Sequence, residues 1–586
     1  MRTDRAERVL AGLPVSPGFA FGPLHLHEPG AVDVKAWSIE PGEVEGERQR
    51  FRRAVEAAVS QTEKLRAKTT ALPGPAREAA TALLEVQRQM LVGSRLVRGV
   101  DRRIAEARVN AEAALEIELD AIAETFAGLD DPSIAARIED VRGAGQRVLR
   151  HLTQTAYRSF AQVAPGSIVI ADEVTPADAA LMDPKRVRAF AAALGGIEGH
   201  TAIMARALRL PAVLGVAGLI DGARVGGAVI VDGVEGRVII DPTPDTIEQY
   251  RRRRSALLRQ RRRWVEVAKR PAVTEDGIEI GLYANIDLPA EVPEAKLFGA
   301  GGVGLLRTEV QFMNRPDLPD EEAQYRMLRA IVAGLDGKPV TIRTLDIGGD
   351  KRAPALAAHF PEGPNPALGL RAIRYSLKAP RLFEAQVAAI LRAGAHGPVR
   401  ILLPMVTNVG EMRRARLLIQ RTAARLAKAR VRIADPLPPI GAMIETPAAA
   451  LGADALAELS DFFAIGTNDL TMYTLAVDRS DEQVASMYNP FHPAVLRLIV
   501  FAVTAAREVG IPISLCGEIA GDPRFTALLL GLGLRDLSMA PANLPRVKQR
   551  LRAVDVAAAQ GLAAEAVAQT GAARVAALVD RFNQGL

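Results

Sequence analysis

The spacing of apolar positions changes character several times along the chain. Residues 1–32 hold short apolar pieces broken by Gly and Pro, which predict an opening strand and loops. From about Glu43 to His151, segments such as EGERQRFRRAVEAAVSQTEKLRAK and VNAEAALEIELDAIAETFAGL carry Ala, Leu, Glu and Arg at helical spacing. LPGP at 72–75 and DDPS at 130–133 punctuate them, so this stretch predicts a helical bundle inserted into another fold. Residues 157–242 return to strand-like runs, SIVIAD, RAFAAAL, AVIVDG and RVIIDP, bounded by Gly, Pro and Asp. The simplest account is a small α/β domain made of 1–32 and 157–242, interrupted by a helical insert at 33–156 and followed by a basic helical linker at 243–272.

After residue 273 short apolar runs alternate with helical stretches: IEIGLYANI, VGLLRTE, VTIRTLD, ALGLRAIR, VRILLPM, PIGAMIE, FFAIGTND and ISLCGE. Eight strand candidates over 273–586 are the arithmetic of a (β/α)8 barrel, which carries its chemistry at the C-terminal ends of its strands. The residues closing these runs are Asn285, Arg307, Arg343, Arg371, Met405, Glu445, Asn468 with Asp469, and Cys516. So many polar or reactive endings are not what packing alone would place there, and an active site on that rim is expected.

Composition narrows the class. A chain of 586 residues calls for two to four domains. No apolar run is long enough to span a membrane, the N-terminal stretch lacks a signal-peptide core, and the single cysteine excludes an internal disulfide framework, so a cytoplasmic home is expected. The net charge of +6 owes much to RRRRSALLRQRRRWVEVAKR at 251–270. That run has no nucleic-acid module beside it, and with aromatic residues at 4% a solvated helical linker is favoured over a nucleic-acid patch.

The rim residues suggest their own chemistry. Guanidinium forks match phosphate and carboxylate oxygens, so Arg307, Arg343 and Arg371, joined by Arg479, imply a small polyanionic substrate; singly, each reads as well as a surface ion pair. Glu445 and Asp469 can hold one hard divalent ion, Mg²⁺ being natural for phosphoryl chemistry, or else simply pair with the arginines. Cys516 is the one thiol, placed to pass a proton if it faces the rim and a small packing residue if it does not. His200 lies outside the barrel in GGIEGHTAIMARALRLPAVLG, where a loop opens into a helix whose N-terminus would stabilise a phosphoryl group on the imidazole. A structural role for His200 fits that spacing equally well.

These motifs carry a resemblance. LPVSPGFAFGP, VTPADAA, GHTAIMARALRLPAV, GVGLLRTE, IRTLDIGGDK, NPALGLRAIR, MIETPAA, IGTNDLTMYTLAVDR and CGEIAGDP, in this order, resemble enzyme I of the bacterial phosphoenolpyruvate-dependent phosphotransferase system over essentially the whole chain. The resemblance implies an α/β protein with a C-terminal (β/α)8 barrel and an N-terminal swivelling phosphohistidine domain, whose helical insert docks the phosphocarrier protein HPr. It implies that His200 is phosphorylated, that Arg307, Arg343, Arg479 and Asn468 bind the phosphoryl group of phosphoenolpyruvate with Arg371 and Asp469 beside them, that Glu445 and Asp469 bind Mg²⁺, and that Cys516 protonates the enolate to pyruvate. It also implies a homodimer formed through the barrel, without nucleic acid or membrane insertion.

Two departures stand out. Family members usually place a hydroxyl pair before the phosphorylated histidine, whereas this chain has Glu198 and Gly199; a glutamate repels phosphoryl oxygens, so Glu198 is expected to alter phosphohistidine lifetime. Where the family often sets acids beside the docking hairpin, this chain has LVGSRLVRG, which leaves the identity of the carrier open. A nitrogen-type regulatory paralogue serving another HPr-like carrier is the alternative; such paralogues typically have an N-terminal sensory domain, and here the SPG segment is expected to start the fold near residue 16.

Overall fold

The computed structural model describes the chain apart from residues 1–5, 28–35, 69–80, 82–83, 86, 93, 128–131, 155–162, 175–181, 197–199, 209, 222, 313–317, 348–364, 479–480, 482 and 586. For 125–127, 132–140, 200, 203, 207 and 366 it describes the backbone alone. Two compact units emerge, 1–258 and 259–586.

The first unit is built on an eight-stranded sheet: β1 (Arg8–Ala11), β2 (Leu13–Ser16), β3 (Phe19–His27), β4 (Ser167–Ala171), β5 (Val187–Ala192), β6 (Ala212–Leu214), β7 (Ala228–Asp232) and β8 (Arg237–Ile240), in the order β1-β8-β7-β3-β4-β5-β6-β2. Strands β3 to β6 run parallel, and β4 is buried along its whole length, the signature of a strand covered on both faces. Between β3 and β4 the described residues include the helices α1 (Val44–Lys68), α2 (Arg95–Ala107), α3 (Ala111–Ala127) and α4 (Pro132–Leu152). They share their own core of Phe51, Leu96, Val100, Ile104, Leu115 and Leu149. Ser94 starts α2 by accepting a hydrogen bond from the Val97 amide, which satisfies a donor the first turn leaves unpaired.

Helix α5 (His200–Leu208) begins at His200, and the Thr201 hydroxyl donates to the Val174 carbonyl at 2.7 Å. The basic run lies on α6 (Pro244–Ala268). Its first turns are held to the sheet rather than fully solvated. Arg253 stacks 5.0 Å above Phe19 and Arg251 5.5 Å above Phe21, while Tyr250 donates to Asp232 at 3.0 Å.

The second unit closes eight parallel strands into a barrel: β9 (Gly281–Ile286), β10 (Val303–Leu306), β11 (Val340–Arg343), β12 (Val399–Leu403), β13 (Ile440–Ile444), β14 (Phe463–Ile465), β15 (Ile513–Leu515) and β16 (Asp536–Met539). Most of these strands are buried on both faces by Val, Ile, Leu and Ala, which is why they read as near-continuous apolar runs. The expected barrel is present, with one of its strands misassigned. ALGLRAIR is not a strand: a tight turn at Pro366–Leu368 leads into helix α7 (Ala372–Lys378), with Arg371 in extended backbone just before it. Ala372, Ile373, Tyr375 and Ser376 are its buried residues, a helical spacing that the short apolar run disguised. The strand that closes the barrel is β16, DLSM, pairing with β15 and β9; four residues, two of them polar, gave no apolar run to detect. Arg371 therefore follows the third barrel strand rather than ending a fourth, and Cys516 follows the seventh.

Candidate functional site

The parallel register brings the C-terminal ends of the strands to one rim. Arg343 is the last residue of β11, Arg307, Glu445 and Cys516 come directly after β10, β13 and β15, and Asn468 and Asp469 sit in the first turn of α8 (Thr467–Leu475) after β14. Local sequence sets these positions. Thr446 starts the helix after Glu445 by accepting from the Ala449 amide at 3.1 Å. Gly466 leaves room for Glu445, since a Cβ there would sit 2.8 Å from Glu445 Oε2. Gly517 does the same beside Cys516: a Cβ would lie 1.7 Å from the Thr467 hydroxyl oxygen.

The arginines are not alike. Arg343 is buried, donating from Nη2 to Glu309 Oε1 at 2.6 Å and pairing through Nη1 with Asp346 Oδ2 at 3.1 Å. Arg371, also buried, donates to Asp346 Oδ1 from Nη2 at 2.9 Å and from Nε at 3.3 Å, donates from Nη1 to the Tyr473 hydroxyl at 3.1 Å, and lies 3.8 Å from Asp469 Oδ2. Burial works against both charges, but the surrounding carboxylates, Glu309 and Asp346 first for Arg343 and Asp346 and Asp469 first for Arg371, more than offset it and push both pKa values up. Both stay cationic at any working pH. Arg307 is different: its side chain is 39% exposed and approaches Asp287 only to 3.6 Å, which leaves it available to a ligand. Arg479 lies outside the described residues, as do Glu198 and Gly199.

Glu445 is fully buried, with Oε1 accepting from the Met405 amide at 2.5 Å and Oε2 without a hydrogen-bond partner among the described residues. Burial raises its pKa well above the usual carboxylate range, and the nearby negative charges of Asp469 and Asp346 add to the shift against the pull of Arg343 and Arg371. A buried carboxylate oxygen with no protein donor is a ready ligand for a hard cation, and Asp469 is the neighbouring acid. Among the described residues no group of three or more His, Cys, Asp and Glu side chains gathers as a metal cage; an ion at Glu445 and Asp469 would need further oxygens to complete its shell.

Cys516 is buried beneath the same rim, its Sγ 3.5 Å from the Ile465 carbonyl. Burial pushes the thiol pKa up to about 12, with Glu445 adding to the rise and Arg343 and Arg307 opposing it. The group therefore keeps its proton at neutral pH. Asn285 fixes the backbone there, donating to the Cys516 carbonyl at 2.9 Å. Asn468 and Glu518 bond reciprocally, side chain to side chain at 2.9 Å and amide to side chain at 3.0 Å, joining the loops after β14 and β15.

The structure thus places Glu445 within electrostatic reach of Arg343, Arg371, Asp469 and Cys516. His200 belongs to the other unit, at the first residue of α5. Among the described residues, Glu309, Asp346 and Tyr473 belong to the rim and escaped the sequence reading. Glu309 and Asp346 close the runs VGLLRTE and VTIRTLD, and an acid following an apolar strand was the available signal.

Comparison with known proteins finds matches along most of the chain. Three models of phosphoenolpyruvate-utilising enzymes match in order: the N-terminal model over residues 11–137, the mobile-domain model over 163–236 and the PEP-binding-domain model over 261–556. The phosphoenolpyruvate-protein phosphotransferase of Cupriavidus necator is 42% identical over 552 residues, 92% of this chain and 94% of its own. The protein of the same name from Listeria innocua is 36% identical over 575 residues, 98% of this chain and 99% of its own. A solution structure of an Enzyme I protein aligns with 42% of this chain and 99% of its own at 32% identity and a TM-score of 0.37. With the relatives aligned end to end and the PEP-binding model lying over the barrel, the chain belongs to the phosphoenolpyruvate-protein phosphotransferases, the enzyme I family of phosphoenolpyruvate-utilising enzymes.

Proposed function

We propose that this chain transfers the phosphoryl group of phosphoenolpyruvate to His200 and then to an HPr-type phosphocarrier, releasing pyruvate as the first step of a sugar phosphotransferase system. The observation that carries the reading is the rim itself: buried, ion-paired Arg343 and Arg371 beside an exposed Arg307, a proton-retaining Cys516 and an unpartnered oxygen on Glu445. Phosphoryl transfer proceeds through a loose transition state whose charge lies on peripheral oxygens, so fixed cationic donors supply most of the stabilisation.

In this reading Arg307, Arg343 and Arg479, with Asn468 and Arg371, hold the phosphoryl and carboxylate oxygens. Glu445 and Asp469 hold Mg²⁺, which when bound neutralises charge on the transferring group. The imidazole of His200 attacks phosphorus as the bond to the enolate oxygen breaks. Cys516 then gives its proton to the enolate carbon, forming pyruvate; a thiol held protonated at neutral pH is in the state that step requires. Cytoplasmic placement and a homodimer through the barrel complete the proposal, and among the described residues no helix is long and apolar enough to cross a membrane.

Incubation of the purified protein with labelled phosphoenolpyruvate and Mg²⁺ tests it. An acid-labile, base-stable label is expected, absent in His200→Ala. A wild-type protein that takes up no label, or a His200→Ala protein that keeps it, overturns the reading. Chase of the labelled protein with sugar-type and nitrogen-type carriers decides which is served.

A further inference from the structure

We infer that Asp346 is a positioning residue that sets the spacing and orientation of the two buried arginines, and through them the rate of phosphoryl transfer; the inference rests on the proposal that the barrel binds phosphoenolpyruvate. Asp346 lies three residues beyond Arg343 and is fully buried. Each of its oxygens is committed to a different arginine: Oδ2 to Arg343 Nη1 at 3.1 Å, Oδ1 to Arg371 Nη2 and Nε at 2.9 and 3.3 Å. A planar carboxylate shared in this way fixes two planar guanidiniums relative to one another. Among the described residues no other side chain pairs with both. Glu309 accepts from Arg343, and Tyr473 accepts from Arg371 while donating to the Ala367 carbonyl at 2.5 Å.

The geometry also shows what is left for a ligand. Both Nη atoms of Arg343 are engaged by Glu309 and Asp346, and its buried Nε has no hydrogen-bond partner among the described residues. Arg371 is engaged at all three nitrogens. The pair therefore acts as a pre-set frame, in which Asp346 removes the mutual repulsion of two neighbouring cations and holds their remaining donors in place before substrate arrives. Such preorganisation lowers a barrier because no dipole has to turn during the reaction. In Asp346→Asn the charge is lost, and the amide NH₂ has to face one of the two guanidiniums, so both arginines are loosened together.

Single-turnover labelling from phosphoenolpyruvate, measured across substrate concentrations, provides the test. Asp346→Asn is expected to slow labelling at saturation by about 100-fold, the cost of misplacing reacting groups by roughly an ångström, with a much smaller change in the half-saturating concentration. Its loss should combine with that of Arg371→Gln to much less than the product of the two, because the two residues act as one unit. Asp346→Asn labelling within about threefold of wild type, or losses that simply multiply, overturns the inference. Should Asp346→Asn lack a cooperative melting transition, Asp346→Glu takes over, since it keeps the charge but lengthens the side chain that spaces the two arginines. A slowed maximal rate at unchanged half-saturation then supports the frame, and an unchanged maximal rate overturns it. Failure of the wild type to label sinks the functional proposal itself, whereas a labelling wild type with unimpaired variants sinks the role of Asp346 alone.

Discussion

Two aspartates in this chain are equally buried and have opposite surroundings. Asp232, at the end of β7, accepts from the amides of Val234 and Glu235 at 2.9 Å each, from the Tyr250 hydroxyl at 3.0 Å and from Arg253 at 3.4 Å. Asp346, at the barrel rim, pairs with two arginines that face a site. The first is satisfied largely by neutral donors that shape a turn and fasten α6, and Tyr250, its pKa pushed up to about 12 by burial and then by Asp232, remains a donor throughout. The second is balanced by charges that the proposed chemistry also uses. Burial alone does not distinguish a structural acid from a functional one; the identity of its partners does.

Three experiments bear on that contrast. The largest effect is expected for Arg343→Ala, which strips Glu309 and Asp346 of their shared cation and should cost about 3–5 kcal/mol in urea unfolding while abolishing labelling from phosphoenolpyruvate. A stability loss below about 1 kcal/mol would show that the rim tolerates the loss of this buried cation. Asp232→Asn is expected to cost less, about 1–2 kcal/mol, and to leave labelling at the wild-type rate; a large kinetic defect would erase the distinction between the two aspartates. The smallest effect has the opposite sign. Glu445 has a folded pKa raised above its unfolded value, so its contribution is fully favourable below about pH 4.3 and is lost as pH rises towards the folded pKa. Glu445→Gln removes that loss and should melt higher than the metal-free wild type at pH 8, with the difference vanishing near pH 4. Equal melting temperatures at pH 8 would show that the buried carboxylate carries no penalty.

The barrel was legible because buried parallel strands are written as apolar runs, and the polar residues ending them gave the rim. One strand was misread where α7 imitates a short strand and β16 has too few apolar residues to register. Arg343 and Arg371 were readable as rim cations, but the same spacing could not show that each already faces a buried acid. Asp346 acquires its position from a tertiary meeting between the segment after β11 and Arg371, 25 residues further along, which no local pattern encodes. His200 was readable as the start of a helix, and α5 begins there.

The pairing at the rim has a consequence for encounter. Arg343 and Arg371 are matched by Glu309 and Asp346, so this quartet carries no net charge and its field fades within a few ångströms of the mouth. The two deepest arginines therefore act on an anion that has already arrived and do little to draw one from solution. Capture falls to the exposed cations, Arg307 among the described residues, whose reach depends on salt. Ionic strength should then govern how often substrate enters, and leave largely untouched how firmly the inner frame holds it.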